Sequence, residues 1–280
     1  MIELTEALVL SRQINQSCLN KKIIKVEVNK NPHKWAWFNG NPNLYPSYLL
    51  NQSFKHAKSY GGMLEIECET CLLVFAEGIQ LSYCNSVDND MKHQLLLEFI
   101  DHTFLFASVH MYGGIWCYID VFDNQYYFKA KKKPSIFSSD FSFDYFTNLL
   151  RESNDNLSLK AFLATEQRIP GFGNGLCQDV LWKSKLHPKT KIKSLSKEDI
   201  ARLYSMIIDL LTEIVTLGGR NTEKDLFGKI GSYKTVMSSI GILEDCPECG
   251  LSKLKETYLG ASIYTCPKCQ KYSSHNKGIY

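Results

Sequence analysis

The sequence predicts an α+β, multidomain protein, and three observations predict it. The first 19 residues carry an amphipathic helical pattern; residues 22–128 are dominated by short β-rich runs; and from Phe143 the pattern turns helical before a tail with paired cysteines. At 280 residues there is room for two domains and a small appendage. The boundaries read as an N-terminal helix and β-sandwich over 1–128, a linker over 129–142, a helical domain over 143–240 and a cysteine module over 241–280.

The opening helix is carried by Leu4, Ala7, Leu8, Ile14 and Leu19, with Glu3 and Glu6 placed to favour its N-terminal dipole. The runs KIIKVEV, GMLEIEC, CLLVFAEG, QLLLEFID, TFLFASVHMY and GIWCYIDVF, broken by Gly, Asn and Asp, then read as closely spaced strands of a sandwich or barrel. Lys129-Ala-Lys-Lys-Lys-Pro134 is charged and closed by proline, as a linker is. YFTNLLRE, LSLKAFLATEQ, GLCQDVLWKSK and KEDIARLYSMIIDLLTEIVTLGG are helical patterns, the last opened by Ser196 with Glu198 and Asp199. A polar loop dotted with glycine, GGRNTEKDLFGKIGSYKT, separates them from the tail.

No apolar run approaches the ~20 residues that span a bilayer, and the first residues lack the basic and small-residue features of a secretory leader. A cytoplasmic protein without membrane contact is expected. Its net charge of +3 conceals an asymmetry: residues 1–128 carry 9 Lys/Arg against 13 Asp/Glu, and residues 129–280 carry 23 against 16. A basic second half suits either a polyanionic partner or a plain solvated surface.

Reduced thiols are expected for all ten cysteines in that setting. Cys18, Cys68, Cys71, Cys84, Cys117 and Cys177 lie among apolar neighbours and read as core or turn residues, including the Cys68-Glu-Thr-Cys71 pair. Cys246-Pro-Glu-Cys249, sixteen residues, then Cys266-Pro-Lys-Cys269 is different. Each knuckle brings two thiolates to one ion, and two knuckles complete a tetrahedron, the spacing of a four-sulfur zinc site. With no open coordination position, Zn there is structural. The alternating KLKETYLGASIYT between the knuckles reads as a hairpin turning at Leu259-Gly260.

Ile169-Pro-Gly-Phe-Gly-Asn-Gly175 joins two helical segments. Glycine and asparagine permit a tight turn, and amides at the start of the next helix form a seat for phosphate. Gly173 and the Asn174 side chain are the donors this assigns.

Taken together these residues resemble the formamidopyrimidine-DNA glycosylase/endonuclease VIII family. The likeness runs from Met1–Glu6, through Pro170-Gly-Phe-Gly-Asn174, Asp179 and His187-Pro188, to Gly218-Gly219, Thr222, Asp225, Gly231 and Tyr233, and on to Cys266-Pro-Lys-Cys269-Gln270, in the family's order. It implies a helix–two-turn–helix domain, a zinc-finger hairpin and binding of double-stranded, damaged DNA by a nucleoid-associated monomer. The family flips and excises oxidised bases and nicks the abasic site, using an N-terminal amine that attacks the sugar C1′. Such an amine, with a pKa of about 7.7–8.0, is partly unprotonated at neutral pH. The resemblance assigns catalysis to Met1, Ile2 and Glu3, the last as proton shuttle. It places phosphate contact at Lys58 and the residues that fill the gap left by a flipped base at Ile79, His110 and Tyr112.

These last three stand where the family has methionine, arginine and phenylalanine, and two further positions depart from it. Ile2 stands where proline is usual, and its bulk should hinder removal of Met1, displacing the amine by ~3.8 Å. Misplacement by even ~1 Å costs a reaction about a hundredfold. Ala261 stands where the hairpin usually carries a phosphate-binding arginine. The expected function is therefore a DNA glycosylase/AP lyase of base-excision repair, the alternative being a non-catalytic binder of damaged or unusual DNA, with an RNA-binding protein as a third and more distant reading.

Overall fold

The computed structural model describes residues 2–88, 90–120 and 122–272. The chain forms two compact units, Met1–Lys133 with Ile214–Tyr233, and Pro134–Glu213 with Lys234–Tyr280.

The first unit opens with α1 (Leu4–Ser17), whose N-terminus is closed by reciprocal capping between Glu3 and Glu6. Its apolar face, Ala7, Leu10 and Ile14, is buried against the sheet. The strands are β1 (Ile23–Val28), β2 (Ala36–Phe38), β3 (His56–Tyr60), β4 (Met63–Glu67), β5 (Leu72–Cys84), β6 (Leu95–Phe99) and β7 (Phe104–Tyr118), with a short helix α2 (Tyr45–Leu49) after β2. They make one seven-stranded sheet in the order β1-β6-β7-β5-β4-β3, with β2 parallel beside β7. Strand β6 pairs with Phe104–Ala107 of β7, whereas β2 pairs with Gly113–Ile115, so one long strand carries different neighbours at its two ends. The free edge at β3 is covered by α1: Asn15 donates to the Ala57 carbonyl (2.8 Å) and accepts from the Ala57 amide (2.7 Å).

Glycine interrupts the strands less than the sequence implies. The runs ending at Tyr112 and beginning at Gly114 are a single strand, and the run ending at Gly78 continues to Cys84, because Gly113 and Gly114 keep their pairing with Glu77 and Ala76. Cys68 and Cys71 are buried in the β4–β5 turn, where the Cys68 amide donates to the Cys71 carbonyl (2.9 Å). Helix α3 (Gln125–Lys132) takes in the first part of the charged segment. Asn124 caps it, and Lys131 pairs with Glu65 (2.8 Å) while lying over the rings of Tyr60 and Tyr127.

The second unit contains α4 (Phe143–Arg151), α5 (Leu159–Ala164), α6 (Asn174–Lys183), most of α7 (Lys197–Thr216) and the hairpin β8 (Leu254–Tyr258)–β9 (Ala261–Thr265). Serines start three of these helices: Ser142, Ser158 and Ser196 accept from the amides of Tyr145, Ala161 and Asp199 at 3.1, 3.2 and 3.1 Å. Phe146, Phe162, Leu203 and Ile207 are fully buried. The hairpin turns at Leu259-Gly260, both at positive φ (51° and 73°), the geometry a two-residue turn requires. Among the described residues no helix is long and apolar enough to cross a membrane.

Candidate nucleic-acid interface and metal centre

A cavity of about 320 Å³ opens in the first unit. Ile2, Ile79, His110 and Tyr112 line it, together with Glu6, Gly78 and residues 222–224 of the polar loop. Four residues scattered over the first 112 positions thus meet on one wall.

A bulge brings them there. Glu77 pairs with Gly113 and Ile79 with Val109, so the three residues His110–Tyr112 of β7 face Gly78 alone on β5. Bulges bend a strand and re-aim its side chains. Gly78 is required because a Cβ there would lie 2.2 Å from the Tyr112 carbonyl oxygen. The interrupted ladder is repaired by buried Gln94, whose Oε1 accepts from the Val109 amide (2.6 Å). His110 Nε2 donates to Gln80 Oε1 (2.7 Å). Burial, then the negative charges of Glu77 and Glu3, push the Tyr112 phenol up, so it stays protonated.

Ile2 is buried in the core of this unit, and its backbone N–H donates to the Glu77 carbonyl (2.9 Å). Glu77 adopts φ +60°, a left-handed conformation uncommon outside glycine, which turns that carbonyl toward the N-terminus. Met1 lies outside the described residues. Glu3 is buried behind Ile2, and its Oε2 lies 3.5 Å from Arg220 Nη1. Arg220 also grips Glu6 with two hydrogen bonds, Nε to Oε1 (2.9 Å) and Nη2 to Oε2 (2.8 Å). Burial pushes the Glu6 carboxyl up, but the charge and hydrogen bonds of Arg220 outweigh it and hold the group below the usual carboxylate value.

The polar loop is built to deliver that arginine. Its base is tied by the Tyr233 amide to the Gly219 carbonyl (3.1 Å) and by the Asn221 amide to the Tyr233 carbonyl (2.8 Å). Gly231 permits this approach, since a Cβ there would lie 2.1 Å from the Gly219 carbonyl carbon. Gln13 of α1 secures the far side, donating to Asp225 (2.8 Å) and accepting from the Leu226 amide (3.0 Å). Lys58 is elsewhere, exposed on β3 opposite Glu65 and not on the cavity wall.

In the second unit Gly173 precedes α6 without a side-chain cap, leaving its first turn as the polar end of the helix. Asn174 Nδ2 donates to the Ser262 carbonyl of β9 (3.2 Å). Gln178 donates to the same oxygen (2.9 Å) and accepts from the Tyr264 amide (3.1 Å). The glycine turn and the cysteine hairpin are thereby fastened together. Asp179 accepts from the amides of Val236 (3.0 Å) and Met237 (2.6 Å), holding the segment that leads into the first knuckle. Beneath the hairpin tip, buried Lys160 donates to the carbonyls of Tyr258 and Ala261. Ala261, the first residue of β9, projects only a methyl group there.

Cys246, Cys249, Cys266 and Cys269 present sulfurs within 4.8 Å of one another. The pairs Cys249–Cys266 and Cys246–Cys269 are 3.3 and 3.9 Å apart. Tetrahedral bonds of ~2.3 Å place sulfurs ~3.8 Å apart, so the four thiols fit one metal ion. Burial pushes the Cys246 thiol up, but the Glu248 amide and the neighbouring Cys266 and Cys249 thiols help to outweigh this and bring it to about 7. Gln270 braces the second knuckle, accepting from the Cys266 amide (3.0 Å) and donating to the Leu186 carbonyl (2.9 Å).

A sheet unit with Ile2 at a cavity, and a helical unit carrying a glycine turn bound to a four-cysteine hairpin, define a two-unit protein of the helix–two-turn–helix class. The family model described as the formamidopyrimidine-DNA glycosylase H2TH domain matches residues 133–225. The chain is 24% identical over 281 residues to the formamidopyrimidine-DNA glycosylase of Cytobacillus firmus, covering 96% of this chain and 100% of that one. It is 31% identical over 170 residues to that of Rippkaea orientalis, 59% and 60% of the two chains. The Lactococcus lactis Fpg in complex with abasic-site DNA superposes with a TM-score of 0.81 at 24% identity, over 96% of this chain and 100% of that one. MutM (Fpg) of Thermus thermophilus gives 0.79 at 22% identity, over 97% and 99%. This chain belongs to the formamidopyrimidine-DNA glycosylase/endonuclease VIII family.

Sequence reasoning did not find Arg220, Glu77 or Lys160. Gly218-Gly219 flagged the loop but not the cation after it, and nothing local marks the Glu77 carbonyl as the acceptor for the Ile2 amide or Lys160 as a hairpin support.

Proposed function

We propose that this protein is a DNA glycosylase with AP-lyase activity that binds damaged duplex DNA and removes oxidised bases. The observation that carries the reading is the cavity: in a chain of this family, Ile2 sits on its wall beside Ile79, His110 and Tyr112. Solved relatives from Lactococcus lactis hold DNA with an abasic site and DNA with an oxidised pyrimidine.

Met1, Ile2 and Glu3 are the proposed catalytic group. With Met1 attached, the Ile2 nitrogen is an amide already donating to Glu77, so the nucleophile is the primary amine of Met1. Its lone pair attacks C1′ as the glycosidic bond breaks and the base departs with the bonding electrons; the C1′–O4′ bond then opens to leave an imine with the sugar, and the two amine protons pass to the departing base and to O4′. Glu3 moves protons in that exchange, its charge balanced by Arg220. Ile79, His110 and Tyr112 supply an apolar side chain, a donor and an aromatic to the space a flipped base vacates. Lys58, Gly173 and Asn174 are proposed phosphate contacts.

The metal is proposed to be zinc, held by Cys246, Cys249, Cys266 and Cys269; it supplies no reaction step and keeps the hairpin folded against Asn174 and Gln178. The working form is proposed to be a cytoplasmic, nucleoid-associated monomer.

Borohydride trapping on abasic-site duplex tests the chemistry, with mass spectrometry of the N-terminal peptide. A covalent adduct on Met1, lost when the N-terminus is blocked, supports the reading. Tight binding with neither adduct nor released base would replace it with the non-catalytic binder. Release of free base without an adduct would assign a water-activating glycosylase instead.

A further inference from the structure

Two tryptophans are left in solvent, Trp35 just before β2 at 50% and Trp37 within it at 44% exposure. Large apolar side chains exposed together mark a recognition surface more often than isolated ones do. The Trp37 ring lies 5.6 Å from that of Tyr112 at an interplanar angle of 32°. Tyr112 lines the cavity, so the aromatic pair runs continuously out from its rim. Met111, in the bulge, also lines the cavity and is 64% exposed.

The surface is held firmly. Trp37 pairs with Gly114 in the β2–β7 register, and the Trp35 carbonyl accepts from the Gly113 amide (3.0 Å). Before the strand, the Ala36 amide donates to the His33 carbonyl (3.0 Å) and the Trp35 amide to His33 Nδ1 (3.2 Å). Little ordering remains to be done on binding, the condition under which contact area becomes affinity. The Lys34 ammonium lies 5.0 Å above the Trp35 ring, placing a cation at the outer end of the row.

We propose that Trp37 and Tyr112 form a stacking platform for the nucleobases that flank the nucleotide presented to the cavity, with Lys34 facing the adjoining phosphate. Every base has a π-face, so aromatic stacking accepts any sequence, and it gains only where bases are unstacked from their neighbours. An intact duplex offers no such face. A lesion or abasic site does. The platform therefore adds preference for distorted DNA, whereas Lys58 adds general affinity. An apolar protein partner is the competing occupant; continuity with the cavity and the adjoining cation favour nucleic acid. The inference rests on the function proposed above.

The test compares the full-length parent with Trp37→Leu and Trp37→Phe on two duplexes, one intact and one carrying an abasic analogue, by fluorescence anisotropy across a salt series. Trp37→Leu is expected to weaken the abasic duplex about tenfold, to leave the intact duplex nearly unchanged and to keep the salt slope; Trp37→Phe should restore most of the loss. A 2-aminopurine beside the abasic site should change its fluorescence on binding the parent but not Trp37→Leu. Equal weakening of both duplexes, or none while Lys58→Ala still lowers affinity, overturns the platform and leaves DNA binding standing. A parent protein that binds neither duplex overturns both.

Discussion

Arg220 closes a two-pronged ion pair on Glu6, at 2.9 and 2.8 Å, across 214 positions of sequence. All three charges in the cluster are buried, Arg220 at 3%, Glu6 at 6% and Glu3 at 5% exposure. Glu6 also accepts from the Glu3 amide (3.3 Å), so one guanidinium orients the whole turn that carries the N-terminus.

Removing that guanidinium deprives two buried carboxylates of its charge and of its hydrogen bonds to Glu6. Arg220→Ala is expected to lower stability by about 3–5 kcal/mol, read from urea unfolding at pH 7. Arg220→Lys, which cannot form the paired contact, should fall between the two. Unchanged unfolding midpoints would show that the cluster does not hold the turn.

Acid should reveal two groups that titrate differently in the folded and unfolded chain. Burial, offset in part by Glu256, pushes His187 down to about 4 from an ordinary 6.5. The unfolded chain then binds the proton first, so the stability His187 contributes is complete above pH 6.5 and is lost as pH falls toward 4. Glu6, also held below its usual value, acts in the same direction at lower pH, from 4.5 downward. His187→Gln is expected to flatten the decline in melting temperature between pH 6.5 and 4 and to leave the steeper loss below it. An identical slope in parent and variant would remove His187 from the account.

Gly78 should tolerate no side chain. The Cβ of Gly78→Ala would meet the Tyr112 carbonyl at 2.2 Å, a backbone atom that cannot rotate away. The bulge must open, at a cost of about 1–3 kcal/mol, and His110 and Tyr112 move with it. Affinity for abasic duplex is expected to fall more than affinity for intact duplex; an equal fall in both would mean that the bulge does not shape lesion contact.

Losing one sulfur should release the metal. Cys249→Ser or Cys269→Ser is expected to cut zinc below one ion per chain by atomic emission, lower the melting temperature and weaken DNA binding, because the ordering of a small cysteine hairpin depends on its ion. Full zinc occupancy in either variant would contradict four-thiolate ligation.

Lys58→Ala is expected to weaken binding to unrelated duplexes alike and to lower the slope of log affinity against log salt by about one. A loss confined to one sequence would assign Lys58 to base reading. Asn174→Ala carries a different signature, because Asn174 also bonds Ser262: the hairpin should loosen, detected as faster zinc release to a chelator.

Much of the site was legible because its signals are local. Two cysteines three positions apart converge on one ion whatever surrounds them, Leu259-Gly260 turns a hairpin on its own dihedral preferences, and Glu3 with Glu6 announces a helix start. The long strands were not legible in this way. Gly113 and Gly114 look like breaks in a linear reading, yet pairing with both β5 and β2 overrides their weak strand preference. The first residues of the charged segment form helix because Tyr127 and Lys131 have a carboxylate, Glu65, and aromatic rings to pack on.

The sequence alone determined the α+β class, the four-cysteine spacing, the glycine turn between helices and the family motifs, since each depends on neighbours along the chain. Tertiary structure decided that Ile2, Ile79, His110 and Tyr112 share one cavity wall, that Arg220 serves Glu3 and Glu6, and that Trp37 lies against Tyr112. Those contacts join residues far apart in sequence, and only strand register and loop closure bring them within bonding distance.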